Sequence, residues 1–136
     1  MDVNFVVFAG KIKSGEKRQT IRRASDKWAS VKTGDRLDLY TGLGTPRARK
    51  LGEAVVESIT PIFLTPATGR AWVRLPFGLA GLRDDDLELI ALRDGFPSLS
   101  RFWEFFAEKY GFETLEFYVI RWADFKEEKE AKNEQR

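Results

Sequence analysis

Short segments in which apolar and polar residues alternate dominate the first part of the chain and recur at its end. This period of two, with many β-branched residues, predicts strands. They fall at Val3–Phe8, Arg18–Arg23, Arg36–Thr41, Leu51–Ile59, Arg70–Leu75 and Leu115–Trp122. Gly52 indicates a bulge in its strand, and Pro61–Thr68, with two prolines, is expected to be irregular or to lie at an edge.

Two helices are predicted late in the chain, where the apolar spacing becomes helical. The first begins at the acidic run Asp84–Asp86 and ends at Gly95. The second begins at Ser98 or Ser100 and ends at Gly111. About six short strands and two late helices predict an α+β fold that is mostly β, namely a small, mostly antiparallel barrel.

The length and composition fit one folded domain with a real core. The chain has 136 residues, of which 43% are hydrophobic and 13% aromatic, more than a disordered chain carries. No apolar run approaches the roughly 20 residues of a membrane span. The first ten residues lack the basic start of a signal peptide, so a cytoplasmic location is expected.

The chain contains no cysteine and no histidine. This excludes zinc cages of the usual kind, disulfides, Ser-His-Asp triads and cysteine nucleophiles. Asp84–Asp86 with Glu88 lacks the spacing of a calcium loop, so we interpret it as a helix start. No metal site and no cofactor is predicted, and any chemistry would use Lys, Thr, Ser, Tyr, Arg or carboxylate groups.

The net charge of +2 is unevenly distributed along the chain. Residues 1–50 contain 12 basic and 5 acidic residues, whereas residues 51–125 contain 7 basic and 12 acidic ones. A basic third of this kind is typical of an anion-binding face, and nucleic acid is a common partner of such faces. On charge alone, an ordinary solvated surface explains the pattern equally well.

One short segment, residues 15–23, combines a lysine, a hydroxyl and several guanidinium groups. Neighbouring cations such as Arg18, Arg22 and Arg23 would lower the pKa of Lys17. A neutral lysine can activate a hydroxyl such as that of Thr20, or a water molecule. Arginine can hold a phosphate or a base edge with two parallel hydrogen bonds. The alternative for Lys17 is a solvated lysine in a turn.

The run Ser14–Lys17 followed by Gln19–Arg22 resembles the N-terminal signature of ASCH domains, which are small relatives of the PUA fold. Further segments agree with the family: VKTGD, LDLYTG, KLGEA, ALRDGF and FYVIRW. The resemblance extends over about residues 5–122. The stretch TGLGTPRARKLGEA is most similar to ASCH proteins that are often found in phages and prophages.

The resemblance implies a PUA-like β-barrel with a cleft for RNA or a nucleobase. We expect this domain in residues 1–123, followed by a charged tail at 124–136. Some relatives resemble amidohydrolases that deacetylate acetylcytidine with Lys, Thr and Glu. By position these become Lys17, Thr20 and, one methylene shorter, Asp94. Lys17 would take a proton from Thr20, and Asp94 would orient Lys17 or carry a proton. Asp94 is alternatively only the end of a helix beside Gly95.

The expected function is therefore the binding of RNA or a modified nucleoside in a basic cleft. The expected contacts to phosphate or base come from Arg18, Arg22, Arg23, Tyr40 and Arg121. Three alternatives stay open: deacetylation of acetylcytidine, metal-independent RNA cleavage, and a non-catalytic adaptor for a phage or host protein. The aromatic stripe around Phe102, Phe105 and Tyr110 has helical spacing, which favours a place in the core.

Overall fold

A computed structural model describes residues 1–129, which fold into seven strands and four helices. In chain order these are β1 Asp2–Phe5, α1 Ala9–Lys13, β2 Gln19–Arg23, α2 Asp26–Ala29, β3 Arg36–Thr41, β4 Arg49–Thr65, β5 Arg70–Leu75, β6 Gly78–Gly81, α3 Asp84–Arg93, α4 Leu99–Tyr110 and β7 Leu115–Glu127. The architecture is mixed α/β and mostly strand, which confirms the predicted class at this level.

The strands form one open sheet built around the long strand β4. Strand β7 pairs with β4 from Gly52 to Leu64, and on its other side it pairs with β2. Because β7 occupies one edge of β4, β3 and β5 share the other edge, followed outward by β1 and β6. Only β1 and β3 are parallel among the described pairings. Closure into a barrel is not shown by the pairings of residues 1–129.

Strand β4 is longer than the sequence predicts, because it continues through the proline segment as far as Thr65. Pro61 lies between the part of β4 that pairs with β3 and the part that pairs with β5. That edge is open at this point, and an open edge tolerates a residue without an N–H group. The predicted bulge is present near Gly52, where the register with β3 shifts between Leu39 and Tyr40.

Two hydrophobic clusters fill the fold. The first cluster includes Leu37, Leu39, Val56, Ile120 and Trp122, and the second includes Ile62, Leu64, Phe106, Phe117 and Val119. Successive side chains of a strand point to opposite faces, so the buried neighbours Val119 and Ile120 give β7 two buried faces. The two longest strands therefore belong to both clusters.

The late helices agree with the sequence prediction. Helix α3 begins at Asp84, and its cap Asp94 is followed by Gly95 at φ +108°. Helix α4 begins after Ser98, whose hydroxyl accepts a hydrogen bond from the Arg101 amide at 3.2 Å. The acidic run therefore starts a helix, where its charges lie at the positive end of the helix dipole.

Strand β7 continues beyond residue 123, where the sequence places the end of the domain. Residues 124–127, within the predicted tail, extend β7, with Lys126 in register with Glu53. Pairing with β4 holds them, and Phe125 also packs against the first cluster. Residues 130–136 lie outside the described part of the chain. No helix within residues 1–129 is long and apolar enough to cross a membrane.

Candidate functional site

A cleft of about 340 Å³ opens beside β1, β2 and the ends of α3 and α4. It brings together four of the predicted site residues, namely Lys17, Thr20, Arg22 and Asp94. Most of the remaining wall is apolar, and its aromatic members are Phe5, Phe8, Phe96, Phe105, Phe106 and Tyr110. Polar groups from distant parts of the sequence thus share a largely aromatic cleft.

Lys17 and Asp94 form a buried pair on the cleft wall. The Nζ atom of Lys17 lies 3.2 Å from the Oδ2 atom of Asp94, and it also donates to the Asp94 backbone carbonyl. The backbone amide of Lys17 donates to the Lys11 carbonyl at 2.9 Å, which fixes the approach to β2. Asp94 caps the end of α3. The helix-end interpretation and the site interpretation of Asp94 are therefore compatible, and the short Asp side chain still reaches Lys17.

Gln19 is a third member of this polar group, which the sequence did not single out. Its Nε2 atom donates to the Oδ1 atom of Asp94 at 3.2 Å and to the carbonyl of Ile90 at 3.0 Å. Both oxygens of the Asp94 carboxyl group thus have partners, one in Lys17 and one in Gln19. This arrangement fixes the orientation of the carboxyl group. The available signal in the sequence was an amide on the same predicted strand face as the apolar Ile21.

Thr20 is paired with Arg22 rather than with Lys17. The Nε atom of Arg22 donates to the Thr20 hydroxyl at 2.9 Å, as their predicted common face allows. The Nη2 atom of Arg22 donates to the Asn4 carbonyl at 2.8 Å, and the guanidinium carbon lies 4.8 Å from the centre of the Phe5 ring. Because the hydroxyl oxygen accepts from Arg22, its own proton remains free to be donated to a ligand.

Burial in the cleft shifts the pKa values of both partners in the Lys17–Asp94 ion pair toward their neutral forms, relative to water. Burial lowers the pKa of Lys17, and the positive charges of Arg22 and Lys11 act in the same direction, while Asp94 opposes them. Burial likewise raises the pKa of Asp94 against the opposing effect of Lys17. The two pKa values lie closer together than in water, so a proton moves between Lys17 and Asp94 at a lower free-energy cost.

The sequence predicts a strand position for Phe8 and a core position for Phe105, whereas in the structure both line the cleft. Strand β1 ends at Phe5, and Phe8 adopts a left-handed backbone conformation at φ 65° instead of continuing the strand. Its ring centre lies 5.3 Å from Lys17 Nζ and 5.3 Å from the centre of the Phe96 ring. Phe105 on α4 lines the cleft as well as packing against the second cluster. Helical spacing identifies the face that is buried, but not the cavity beside that face.

The other four predicted contacts lie outside this cleft. Arg18 and Arg121 line a separate pocket. Arg23 is exposed and donates from Nη1 to the Glu116 carbonyl at 2.7 Å. Tyr40 is half-buried on β3, in register with Asn4 of β1. Of the predicted arginines, Arg22 alone lines the cleft.

Within residues 1–129, no group of three or more carboxylate side chains is placed to hold a metal ion. The acidic side chains of Asp84, Asp85 and Asp86 are exposed in the first turn of α3.

Comparison of the chain with protein-family models found no match, and comparisons with curated proteins and with solved structures found none either.

Proposed function

We propose that this chain is an ASCH domain of the PUA-like class and that its aromatic cleft binds RNA or a modified nucleoside. The observation that carries the proposal is that Lys17, Thr20, Arg22 and Asp94 line a single cleft of about 340 Å³. Three of them correspond to the residues that the family resemblance implies. The volume lies within the range of small-molecule sites, and mostly apolar walls with a few polar groups are typical of such sites.

The aromatic and the polar residues of the cleft wall suit the flat face and the polar edge of a nucleobase, respectively. Phe8, Phe105 and Tyr110 provide faces for a planar base, and stacking of this kind contributes about 1–3 kcal/mol per base. Thr20 and Lys17 can donate hydrogen bonds to the polar edge of the base. Lys109, exposed at the rim of the cleft, is available to a phosphate of a longer strand.

A second candidate function is hydrolysis of the amide bond of acetylcytidine, and the buried contact between Lys17 and Asp94 favours it. In this mechanism neutral Lys17 takes a proton from water, and the water oxygen bonds to the acetyl carbon. Arg22, hydrogen-bonded to Thr20, stabilises the developing negative charge on the carbonyl oxygen. The carbon–nitrogen bond then breaks, and the proton passes from Lys17, directly or through Asp94, to the departing amine. The products are acetate and cytidine.

Calorimetric titration with acetylcytidine and with a single-stranded RNA of about ten nucleotides tests the proposal. We expect Lys17→Met to weaken binding at least about tenfold, because it removes a charged hydrogen-bond donor from the cleft. Lys13→Met is the matched control, since Lys13 lies on α1 outside the cleft and pairs with Glu127 at 3.7 Å. Thr20→Val, which keeps the side-chain shape, should also weaken binding. Circular dichroism verifies that each variant is folded.

The same samples separate the candidate activities. Acetate release that disappears in Lys17→Met identifies a hydrolase, whereas binding without acetate identifies a binding domain. Shortened RNA on a gel would instead identify a ribonuclease. Equal affinity of the wild type, Lys17→Met and Thr20→Val for both probes would contradict a ligand site in the cleft. Failure of the wild type to bind either probe would also contradict it, and would leave the adaptor function.

A further inference from the structure

A second pocket, of about 180 Å³, contains three arginines from separate elements. Arg18 precedes β2, Arg93 ends α3 and Arg121 lies on β7, with Gln19 and Glu16 completing the lining. A neighbouring pocket of about 150 Å³ shares Gln19, Arg93 and Arg121, so the two form one groove. No residue that lines this groove also lines the aromatic cleft, as far as the structure describes the chain.

Among residues 1–129, no carboxylate forms an ion pair with any of the three arginines. Within residues 1–129, none of the three has a carboxylate oxygen within 4.0 Å, in contrast to Arg36, which lies 2.8 Å from Asp38. Arg18 donates from Nε to the Gly15 carbonyl at 3.1 Å, which orients the guanidinium and leaves its terminal amino groups for a ligand. Like charges grouped in one pocket repel each other, and a bound anion would relieve that repulsion.

The fold itself brings the arginines together. Arg121 is in register with Gln19 in the β2–β7 pairing, next to Arg18. Gln19 donates to the Ile90 carbonyl at 3.0 Å and thereby ties the end of α3, which carries Arg93, to the same strand. The arginine cluster is thus held by regular pairing and by a buried side-chain bond.

Two groups near the pocket carry negative charge or potential, namely the carbonyl end of α3 and the carboxylate of Glu16, and both have other partners. Carbonyl groups in the last turn of α3 and just after it accept from Gln19, Lys17 and Lys11, and the Nζ atom of Lys11 lies 3.1 Å from the Gly95 carbonyl oxygen. These donors offset the negative end of the helix dipole. Glu16, which also lines the pocket, is 3.9 Å from Lys11 Nζ. The arginines therefore dominate the charge of the pocket.

We propose that the pocket of Arg18, Arg93 and Arg121 is a binding site for a phosphoryl oxyanion. Planar guanidinium groups match phosphate oxygens with paired hydrogen bonds, and a fold that gathers three of them provides several such donors. The phosphoryl group is supplied either by free phosphate or by the backbone of a nucleic acid strand. The inference goes beyond the function of the aromatic cleft, because it requires no ligand there.

Titration of ¹⁵N-labelled protein with inorganic phosphate tests the site by NMR. We expect the side-chain amide of Gln19 and the Nε signals of Arg93 and Arg121 to shift in the wild type. In Arg93→Gln/Arg121→Gln the affinity should fall at least about tenfold, because two of the three guanidinium groups are removed. Arg70→Gln is the control, since Arg70 is exposed on β5 and within residues 1–129 likewise has no carboxylate within 4.0 Å.

A second titration, with a single-stranded RNA of about ten nucleotides at several salt concentrations, identifies the source of the phosphoryl group. If the source is the nucleic acid backbone, the double variant binds more weakly than the control. Its slope of log affinity against log salt is then smaller by about 0.7 for each RNA phosphate that the missing arginines no longer neutralise. A phosphate effect without an RNA effect identifies free phosphate.

Equal phosphate affinity in the wild type, the double variant and the control would overturn the proposal, as would the absence of any shift in the wild type. Thr20→Val separates this site from the cleft, because Thr20 lines only the cleft, so the variant should leave the phosphate titration unchanged even where it weakens binding of acetylcytidine.

Discussion

Lys17 and Asp94 form an ion pair in which both side chains are almost completely buried, with 3% and 9% of their surface exposed. Removing one partner of such a pair leaves an uncompensated charge, at a cost of about 3 kcal/mol or more. Lys17→Met should therefore destabilise the fold at neutral pH. Asp94 then lacks its cationic partner, so burial raises its pKa further above the ordinary 3.8.

The sign of the resulting pH dependence follows from proton binding. When the folded pKa of a carboxyl group is raised, its contribution to stability is complete below the unfolded pKa and is lost as pH rises through the folded pKa. We expect the free energy of unfolding of Lys17→Met, measured with urea, to fall from about pH 4 to about pH 7. The loss relative to Lys17→Met/Asp94→Asn should be about 1.4 kcal/mol for each unit by which the pKa is raised.

The double variant Lys17→Met/Asp94→Asn is the control, because it has no titrating group at either position. A difference between the single and the double variant that stays constant over this pH interval would show that Asp94 is not the group responsible.

The sequence identifies residues that belong to a motif better than residues that complete a site in three dimensions. Lys17 and Thr20 are found from a local pattern of lysine, hydroxyl and arginine. The hydrogen bond between Gln19 and Asp94 joins residues 75 positions apart, so no local pattern reveals it. Phe8 is missed for a different reason: its segment is apolar like a strand, but the backbone turns left-handed at this residue.

At the scale of elements, Gly52 of β4 lies so close to β7 that its position has no room for a side chain. A Cβ atom at this position would collide with the Lys126 carbonyl oxygen and lie 2.6 Å from a carbon of the Phe125 ring. We expect Gly52→Ala to destabilise the protein by about 2 kcal/mol, because backbone and ring must both move. Thermal unfolding followed by circular dichroism measures the effect.

Gly81→Ala is the matched control for this strand glycine, because a Cβ atom at Gly81 in β6 would meet nothing within 4 Å. Its effect should stay within about 0.5 kcal/mol. Similar stability of the two variants would contradict the close approach of β7 to Gly52.

Element types are predicted more successfully than element ends. Caps are local, so Gly95 correctly marks the end of α3, and Ser98, one of the two predicted starts, caps α4. The ends of β4 and β7 depend on each other, because pairing carries both strands beyond their apolar cores. The strand conformation of Pro61 in β4 and of Lys126 in β7 results from pairing with the partner strand and not from their neighbours in sequence.

At the scale of the whole molecule, the distribution of charge along the sequence does not predict where charge gathers on the folded surface. The basic segment 1–50 supplies Lys17 and Arg22 to the cleft and Arg18 to the second pocket. That pocket draws its other two cations, Arg93 and Arg121, from the segment with a net negative charge. Sums over segments identify an anion-binding tendency, whereas strand pairing decides where the cations gather.

Both hydrophobic clusters depend on β4 and β7, so we expect the described fold to unfold as one cooperative unit. Leu37 lies in the first cluster and Leu64 in the second, and both are fully buried. Leu37→Ala and Leu64→Ala should each cost about 3 kcal/mol, because each removes buried methyl groups and leaves a cavity. If the shared strands couple the clusters, a change in either cluster should destabilise both.

Fluorotryptophan labelling allows the two clusters to be followed separately by ¹⁹F NMR during urea unfolding. Trp122 belongs to the first cluster, and Trp103 packs against the second. In the wild type and in each leucine variant, the two native signals should disappear at the same urea concentration. That midpoint should be lower in both variants, because destabilisation of one cluster is transmitted through β4 and β7 to the other. Loss of the Trp122 signal before the Trp103 signal in Leu37→Ala would instead show that the clusters unfold independently and that the shared strands do not couple them.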